Sequence, residues 1–146
     1  MPMIPALINF TILSLVSAIH IYWGFGGSWG LRESLPERNG SKAFHPGRIM
    51  TLVVAFVFGG MALFYLFKIG WLSLPAWLAS SWVQQYGLWL LAGIFLLRAV
   101  GDFRYVGFFK RVRNSRFAHL DTRFYSPLCL VLCINTSLLI LFPSRP

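Results

Sequence analysis

An all-α integral membrane protein, with four transmembrane helices in an antiparallel bundle and a basic-aromatic interfacial segment between helices three and four, is the fold class this sequence predicts. Three observations predict it. The 146 residues are 57% hydrophobic and only 12% charged, with a mean hydropathy of +0.66; a soluble domain of this length needs more charge to cover its surface. Four apolar stretches approach or reach the roughly 20 helical residues that cross a bilayer core. The Lys and Arg residues collect in two of the three connections.

The stretches run Met3–Trp23, Ile49–Phe67, Val83–Gly101 and Tyr125–Phe142. In hydrocarbon a backbone must satisfy its own hydrogen bonds, so each is expected to be a helix; the alternation of a membrane barrel is absent. The first stretch has no basic residue before its apolar core, and no A-x-A-like site follows, so a retained helix is favoured over a signal peptide. The connections, Gly24–Arg48, Lys68–Trp82 and Asp102–Phe124, fit one domain over 1–146.

Orientation follows from charge. Helices that alternate in direction put loops one and three on the same side. Loop one carries Arg32, Arg38, Lys42 and Arg48. Loop three carries Arg104, Lys110, Arg111, Arg113, Arg116 and Arg123. Only Lys68 and Arg145 fall on the other side. Cytoplasmic loops collect Lys and Arg, so both termini are expected outside and loops one and three inside. The net charge of +9 is mostly this asymmetry; it suits anionic lipid headgroups and gives no argument for nucleic acid.

Each helix has a polar or small-residue stripe for the bundle interior. These are Asn9, Ser17, His20 and Gly24 on the first, and Arg48, Thr51, Ala55, Gly59 and Ala62 on the second. On the third they are Gln84, Gly87, Arg98, Gly101, Asp102 and Tyr105, and on the fourth Ser126, Cys129, Cys133 and Thr136. Packing alone accounts for the small residues.

The ionisable residues ask for more. His20, His45, Arg48, Arg98, Asp102, Asp121, Arg123 and Tyr125 fall in one layer at the cytoplasmic end. Charged residues inside membrane segments are functional candidates. Arg98 and Asp102, four apart, share a helix face and are expected to pair, with Arg98 about 6 Å deeper and His20 at a similar level. The bland alternatives are a salt bridge that ends the third helix and a packing histidine. The candidate ligand-binding set is His20, Arg48, Arg98, Asp102, Arg104, Asp121 and Tyr125.

Other chemistry finds less support. His20, His45 and His119 form no ligand motif, so a metal site is not expected, and the question of a cofactor is left open. Cys129 and Cys133, at i and i+4 of one helix, diverge too far for a disulfide and lack the CxxC of a thiol oxidoreductase; packing thiols are expected. In loop three, Tyr105, Phe108, Phe109 and Val112 have i, i+3, i+4, i+7 spacing between basic residues, which predicts an interfacial helix. Ser126–Pro127 reads as an N-cap and helix-starting proline, so the fourth span could begin there.

The segments HIYWGFGGSWGL (His20–Leu31), RAVGDFRYVGFFKR (Arg98–Arg111) and LDTRFYSPLCLVL (Leu120–Leu132) resemble the small bacterial four-helix membrane proteins of the domain-of-unknown-function family 3995. The resemblance spans nearly the whole chain. It implies a bacterial inner-membrane protein and carries no assigned activity. In the first segment the glycines of GFGGSWG are expected to allow a tight turn at the headgroups, since no P-loop Lys-Ser/Thr follows. Three functions remain open: binding or transport of a small anionic molecule or lipid headgroup at the cytoplasmic rim; an enzyme on a lipidic substrate using His20 and Asp102; and an accessory subunit of a larger complex. Self-association into a homo-oligomer is left open beside them.

Overall fold

The computed structural model describes residues 3–38, 41–42, 46–73, 75–76 and 80–142; His45 and Arg145 lie outside them. In chain order the elements are α1 (Met3–Gly24), α2 (Leu31–Ser34), β1 (Glu37–Arg38), β2 (Ser41–Lys42), α3 (Arg48–Lys68), α4 (Ser81–Val100), α5 (Arg116–Leu120), a π-helical turn (Asp121–Tyr125) and α6 (Ser126–Leu141). The two short strands pair antiparallel, Glu37 with Lys42 and Arg38 with Ser41.

Among the described residues four helices are long and apolar enough to cross a membrane: Met3–Gly24, Arg48–Lys68, Ser81–Val100 and the continuous Arg116–Leu141. Only 22–28% of each apolar window is buried inside the protein, so most of these side chains face outward. Among the outward ones are Ile4, Leu15, Phe56, Trp89, Leu97 and Leu141. A surface of this kind is stable in hydrocarbon and not in water. The chain is a membrane protein with an all-helical bundle.

The helices end for local reasons. At the exit of α1, the N–H of Gly27 donates to Tyr22 O and that of Gly26 to Trp23 O. This is a Schellman closure with Gly26 in the left-handed region at φ 101°, where a side chain would be strained. The glycine-aromatic turn expected there is present. The same closure ends α3, where Trp71 N–H donates to Leu66 O and Gly70 N–H to Phe67 O. Ser80 caps α4 by accepting from Val83 N–H, and Ser115 caps α5 by accepting from Ala118 N–H.

Packing pairs α1 with α3 and α4 with α6, and α1 against α6 joins the pairs. Small residues set the α1–α3 approach. A Cβ on Gly59 would meet Ser17 Oγ at 3.4 Å, and Ser17 Oγ donates to Ala55 O at 2.8 Å. The buried faces of α1, α3 and α6 follow the stripes read from the sequence. That of α4 does not: its seam is Leu88, Leu91, Ala92, Phe95 and Ala99, whereas Gln84 and Asp102 are exposed. Arg98, outside that seam, is half-buried.

Deep between α1, α3 and α6 lies a polar knot. Asn9 Nδ2 donates to Leu132 O and to Thr136 Oγ1, both at 3.1 Å, and Asn135 Nδ2 donates to Asn9 Oδ1 at 2.9 Å. Thr136 Oγ1 gives its single proton to Leu132 O at 2.6 Å. The Tyr65 hydroxyl, also 2.6 Å from Thr136 Oγ1, is therefore the donor in that pair. Asn9, Tyr65 and Thr136 are fully buried, and mutual bonding is what makes their burial tolerable.

Two expectations fail. The fourth span does not begin at Ser126–Pro127: the helix runs unbroken from Arg116, and Ser126 is itself helical at φ −68°, ψ −43°. Pro127 would crowd the carbonyl four residues back and offers no N–H. The π turn just before it widens the helix, with Ser126 N–H reaching back five residues to Asp121 O. Nor is Tyr105–Val112 a helix. Gly101 (φ 87°), Phe103 (φ 60°) and Gly107 (φ 89°) all leave helical space, and the chain folds into a compact irregular loop.

Candidate functional site

The segment Gly101–Lys110 is folded back on the end of α4 by two glycines and one carboxylate. Gly101 and Gly107 lie against each other, so that a Cβ on Gly101 would strike Val106 O and one on Gly107 would strike Val100 O. Asp102 N–H donates to Val106 O at 3.2 Å, and Phe108 N–H to Ala99 O at 2.9 Å. Asp102 Oδ1 accepts from the N–H groups of Arg104, Tyr105 and Val106 at 2.9, 2.7 and 2.9 Å. Burial pushes this carboxyl up, but the Val106, Arg104 and Tyr105 amides outweigh that and hold it below the usual carboxylate range.

With Asp102 so engaged, Arg98 turns elsewhere. Its Nη2 donates to Asp121 Oδ1 at 2.9 Å, across from α4 to the π turn. The expected Arg98–Asp102 pair is thus replaced by Arg98–Asp121. Shared face and i,i+4 spacing make a pair available; here Gly101 ends the helix and the three amides claim the Asp102 oxygen first.

Asp121 has a second cation. Lys110 Nζ donates to its Oδ2 at 2.9 Å, to Gly107 O at 3.0 Å and to Thr122 Oγ1 at 2.6 Å. Thr122 Oγ1 donates in turn to Ala118 O, so it accepts from Lys110, and the ammonium uses all three of its protons. Gly107 N–H completes the shell at 2.7 Å from Oδ2. Asp121 is 0% and Lys110 2% exposed. Placed on the polar face of an interfacial helix by its spacing, Lys110 is instead interior. It is the one lysine among the six basic residues of its connection, and the Gly-x5-Gly frame around Asp102 was the signal that could have found it.

The other candidates spread around this triad. Tyr125 is half-buried against Phe117 and Phe124 and, like Cys129, lies within electrostatic reach of Arg98 and Asp121. Arg104 is exposed, its guanidinium 5.2 Å from the Tyr105 ring centre. Exposed Arg48 starts α3, with its guanidinium beside Gly26. His20 belongs to a different group: its Nδ1 bonds Val16 O at 2.8 Å and its ring packs on Trp23 and Phe58, at 4.9 and 5.4 Å. Arg116 and Glu33, 3.5 Å apart, tie loop three to loop one, which places both at one end of the bundle. Cys129 and Cys133 are free thiols.

Among the described residues, two buried polar atoms at this end have no hydrogen-bond partner, Arg98 Nη1 and Ser126 Oγ. Among the described residues no trio of His, Cys, Asp or Glu could hold a metal ion.

The model of a family described as a protein of unknown function, DUF3995, matches residues 13–136. No curated protein and no solved structure matches.

Proposed function

Taking as premise that the chain belongs to the DUF3995 family, we propose that it is a bacterial inner-membrane protein that binds a small anionic molecule or lipid headgroup at its cytoplasmic end. The observation that carries this reading is the charge of the Arg98–Lys110–Asp121 triad. Asp121 is one carboxylate facing two cations, Arg98 and Lys110. Lys110 and Asp121 are buried and Arg98 is a third exposed, so the net positive charge is reachable from outside and favours a counter-anion. Around it the exposed Arg48, Arg104, Arg111, Arg113 and Arg116 add a field that concentrates anions and anionic headgroups. In this reading Asp121 and Asp102 are positioning residues, and Arg98, Arg104, Arg48 and Tyr125 face the ligand.

The orientation belongs to the same proposal. Ten basic residues on loops one and three against two opposite support termini outside. A cytoplasm-active reporter fused after Arg113 should be functional and one after Pro146 silent; the reverse pattern overturns the orientation.

Native mass spectrometry of the full chain, extracted gently from its membrane, tests the binding itself. The expected result is a retained anionic phospholipid or small anion. A bare chain mass, with no thermal stabilisation by added phosphatidylglycerol, overturns it.

A second reading has its own support. Every oxygen of Asp121 is engaged within the chain, as in a purely structural lock in an accessory subunit. That reading expects variants of the exposed arginines to leave the behaviour of the protein in its membrane unchanged.

A further inference from the structure

The polar knot between α1 and α6 leaves one group unfinished. Asn9 Nδ2 gives its two protons to Leu132 O and Thr136 Oγ1. A backbone carbonyl only accepts, so the orientation of the Asn9 carboxamide is fixed. Its Oδ1 turns to Asn135, whose nitrogen is therefore the donor, at 2.9 Å. Among the described residues this is the one hydrogen bond of the Asn135 side chain, and its Oδ1 and second N–H proton have no partner there. The unpartnered polar atoms that the chain encloses are Arg98 Nη1 and Ser126 Oγ. Asn135 Oδ1 is not one of them, and on a half-buried residue it reaches the outer surface of the bundle.

Outside that surface is hydrocarbon. Helix α1 has 22 residues, about 33 Å, close to the roughly 30 Å of a bilayer core. Asn9 comes six residues after the start of α1 and Asn135 six before the end of α6. Both counts place the pair about 9 Å inside the same end of the bundle. Val131 and Leu138 flank Asn135 on its own helix face; Val131 is 43% and the adjacent Ile134 51% exposed, an apolar surround. An open amide oxygen at that depth meets no water and no donor on an acyl chain, and leaving it bare is costly. Asparagine is also too short to reach the headgroups as Lys or Arg would.

The free atoms name their partner. One acceptor and one donor on a single carboxamide are complementary to a copy of themselves: across a twofold axis each N–H meets the other oxygen, the isologous contact of a dimer. Polar side chains bonded between helices are one of the forces that associate them in lipid. We propose that two copies of this chain pair in the membrane along the α1–α6 seam, with their Asn135 carboxamides hydrogen-bonded to each other and Val131 and Leu138 packed on either side. The pairing is independent of anion binding at the other end of the bundle.

The test mixes full chains carrying donor and acceptor dyes on a C-terminal tag in phosphatidylcholine–phosphatidylglycerol liposomes. It follows energy transfer as the protein-to-lipid ratio is varied. Wild-type transfer should saturate at one partner per chain. Asn135→Ala should weaken pairing about tenfold, the worth of two interhelical hydrogen bonds. That variant also takes the donor from Asn9 Oδ1, so a second one is needed that leaves the knot intact. Val131→Trp adds bulk on the proposed face and should weaken pairing at least as much, with unchanged resistance to SDS unfolding. Leu97→Trp, at a side chain 72% exposed on α4, should pair as the wild type does. Wild-type chains that stay monomeric at every density overturn the proposal, as does undiminished pairing in either Asn135→Ala or Val131→Trp. Transfer that fits three or more chains overturns the twofold contact, and loss of pairing in Leu97→Trp overturns the seam as the interface.

Discussion

Arg98 meets Asp121, 23 residues away in sequence, at 2.9 Å, while Asp102, four residues along the chain, spends an oxygen on three backbone amides. One acid therefore joins α4 to the fourth span, and the other folds the loop between them. Their roles separate in the variants below.

Asp121 should be the most sensitive charged position. Asp121→Leu leaves Lys110, 2% exposed, without a counter-charge, a loss typically worth about 3–5 kcal/mol. Arg98→Leu should do less, since that side chain is a third exposed and water screens it. The double variant Lys110→Met, Asp121→Leu should recover part of the loss. Unfolding in mixed SDS micelles measures all of these, and strictly additive losses in the double variant would show that Lys110 and Asp121 do not act as a pair.

Gly101→Ala and Gly107→Ala should each break the loop. A Cβ at either position runs into fixed backbone, and the left-handed conformation alone costs an L-residue about 1–2 kcal/mol. Either variant should free Lys110 from Asp121. Protease nicking between residues 101 and 114 in detergent should become rapid in both. Wild-type resistance in either would refute the crossing of the two glycines.

Asp102 makes the loop acid-sensitive. Its folded carboxyl titrates below the ordinary 3.8 because three amides favour the charged form. The stabilisation it contributes is therefore complete above the unfolded value and is lost as pH falls through the folded one. Asp102→Ala should lower stability at neutral pH by about 0.5–2 kcal/mol, as loss of a capping acceptor does, and the gap to wild type should close as pH falls below the ordinary 3.8. A wild-type minus variant difference independent of pH down to the acid limit would contradict this role.

At the opposite half of the bundle, Asn9→Leu should loosen the contact of α1 with α6. It removes the donor to Thr136 and Leu132 and the acceptor for Asn135. Interhelical hydrogen bonds in membranes average about 0.6 kcal/mol and reach about 1.7, so a loss of roughly 1–2 kcal/mol is expected for the knot. Tyr65→Phe, which deletes a donor to one hydroxyl, should fall nearer the lower figure. Equal stability of Asn9→Leu and wild type in SDS unfolding would show that the knot contributes nothing.

What the sequence by itself determined is the architecture and most of its inward faces. Apolar length sets spans at Met3–Trp23, Ile49–Phe67 and Val83–Gly101, each end within two residues of the observed Met3–Gly24, Arg48–Lys68 and Ser81–Val100, because in hydrocarbon a helix satisfies its own backbone and length is a local property. The buried Asn9, Ser17, Thr51, Ala55, Cys133 and Thr136 were legible for the same reason: polarity and size mark a face at helical period. The partners were not legible. Helical spacing offered Arg98 to Asp102, yet Gly101 ends the helix between them and the loop amides occupy Asp102. The aromatic spacing of Tyr105–Val112 offered a helix, yet Gly101, Phe103 and Gly107 at positive φ close a tight loop and carry Lys110 inside. The proline after Ser126 offered a helix start, yet a π turn carries the helix through it and frees the serine hydroxyl. Each of these was decided by contacts across the chain, where one carboxylate chooses among competing donors by geometry that spacing along a single helix cannot express.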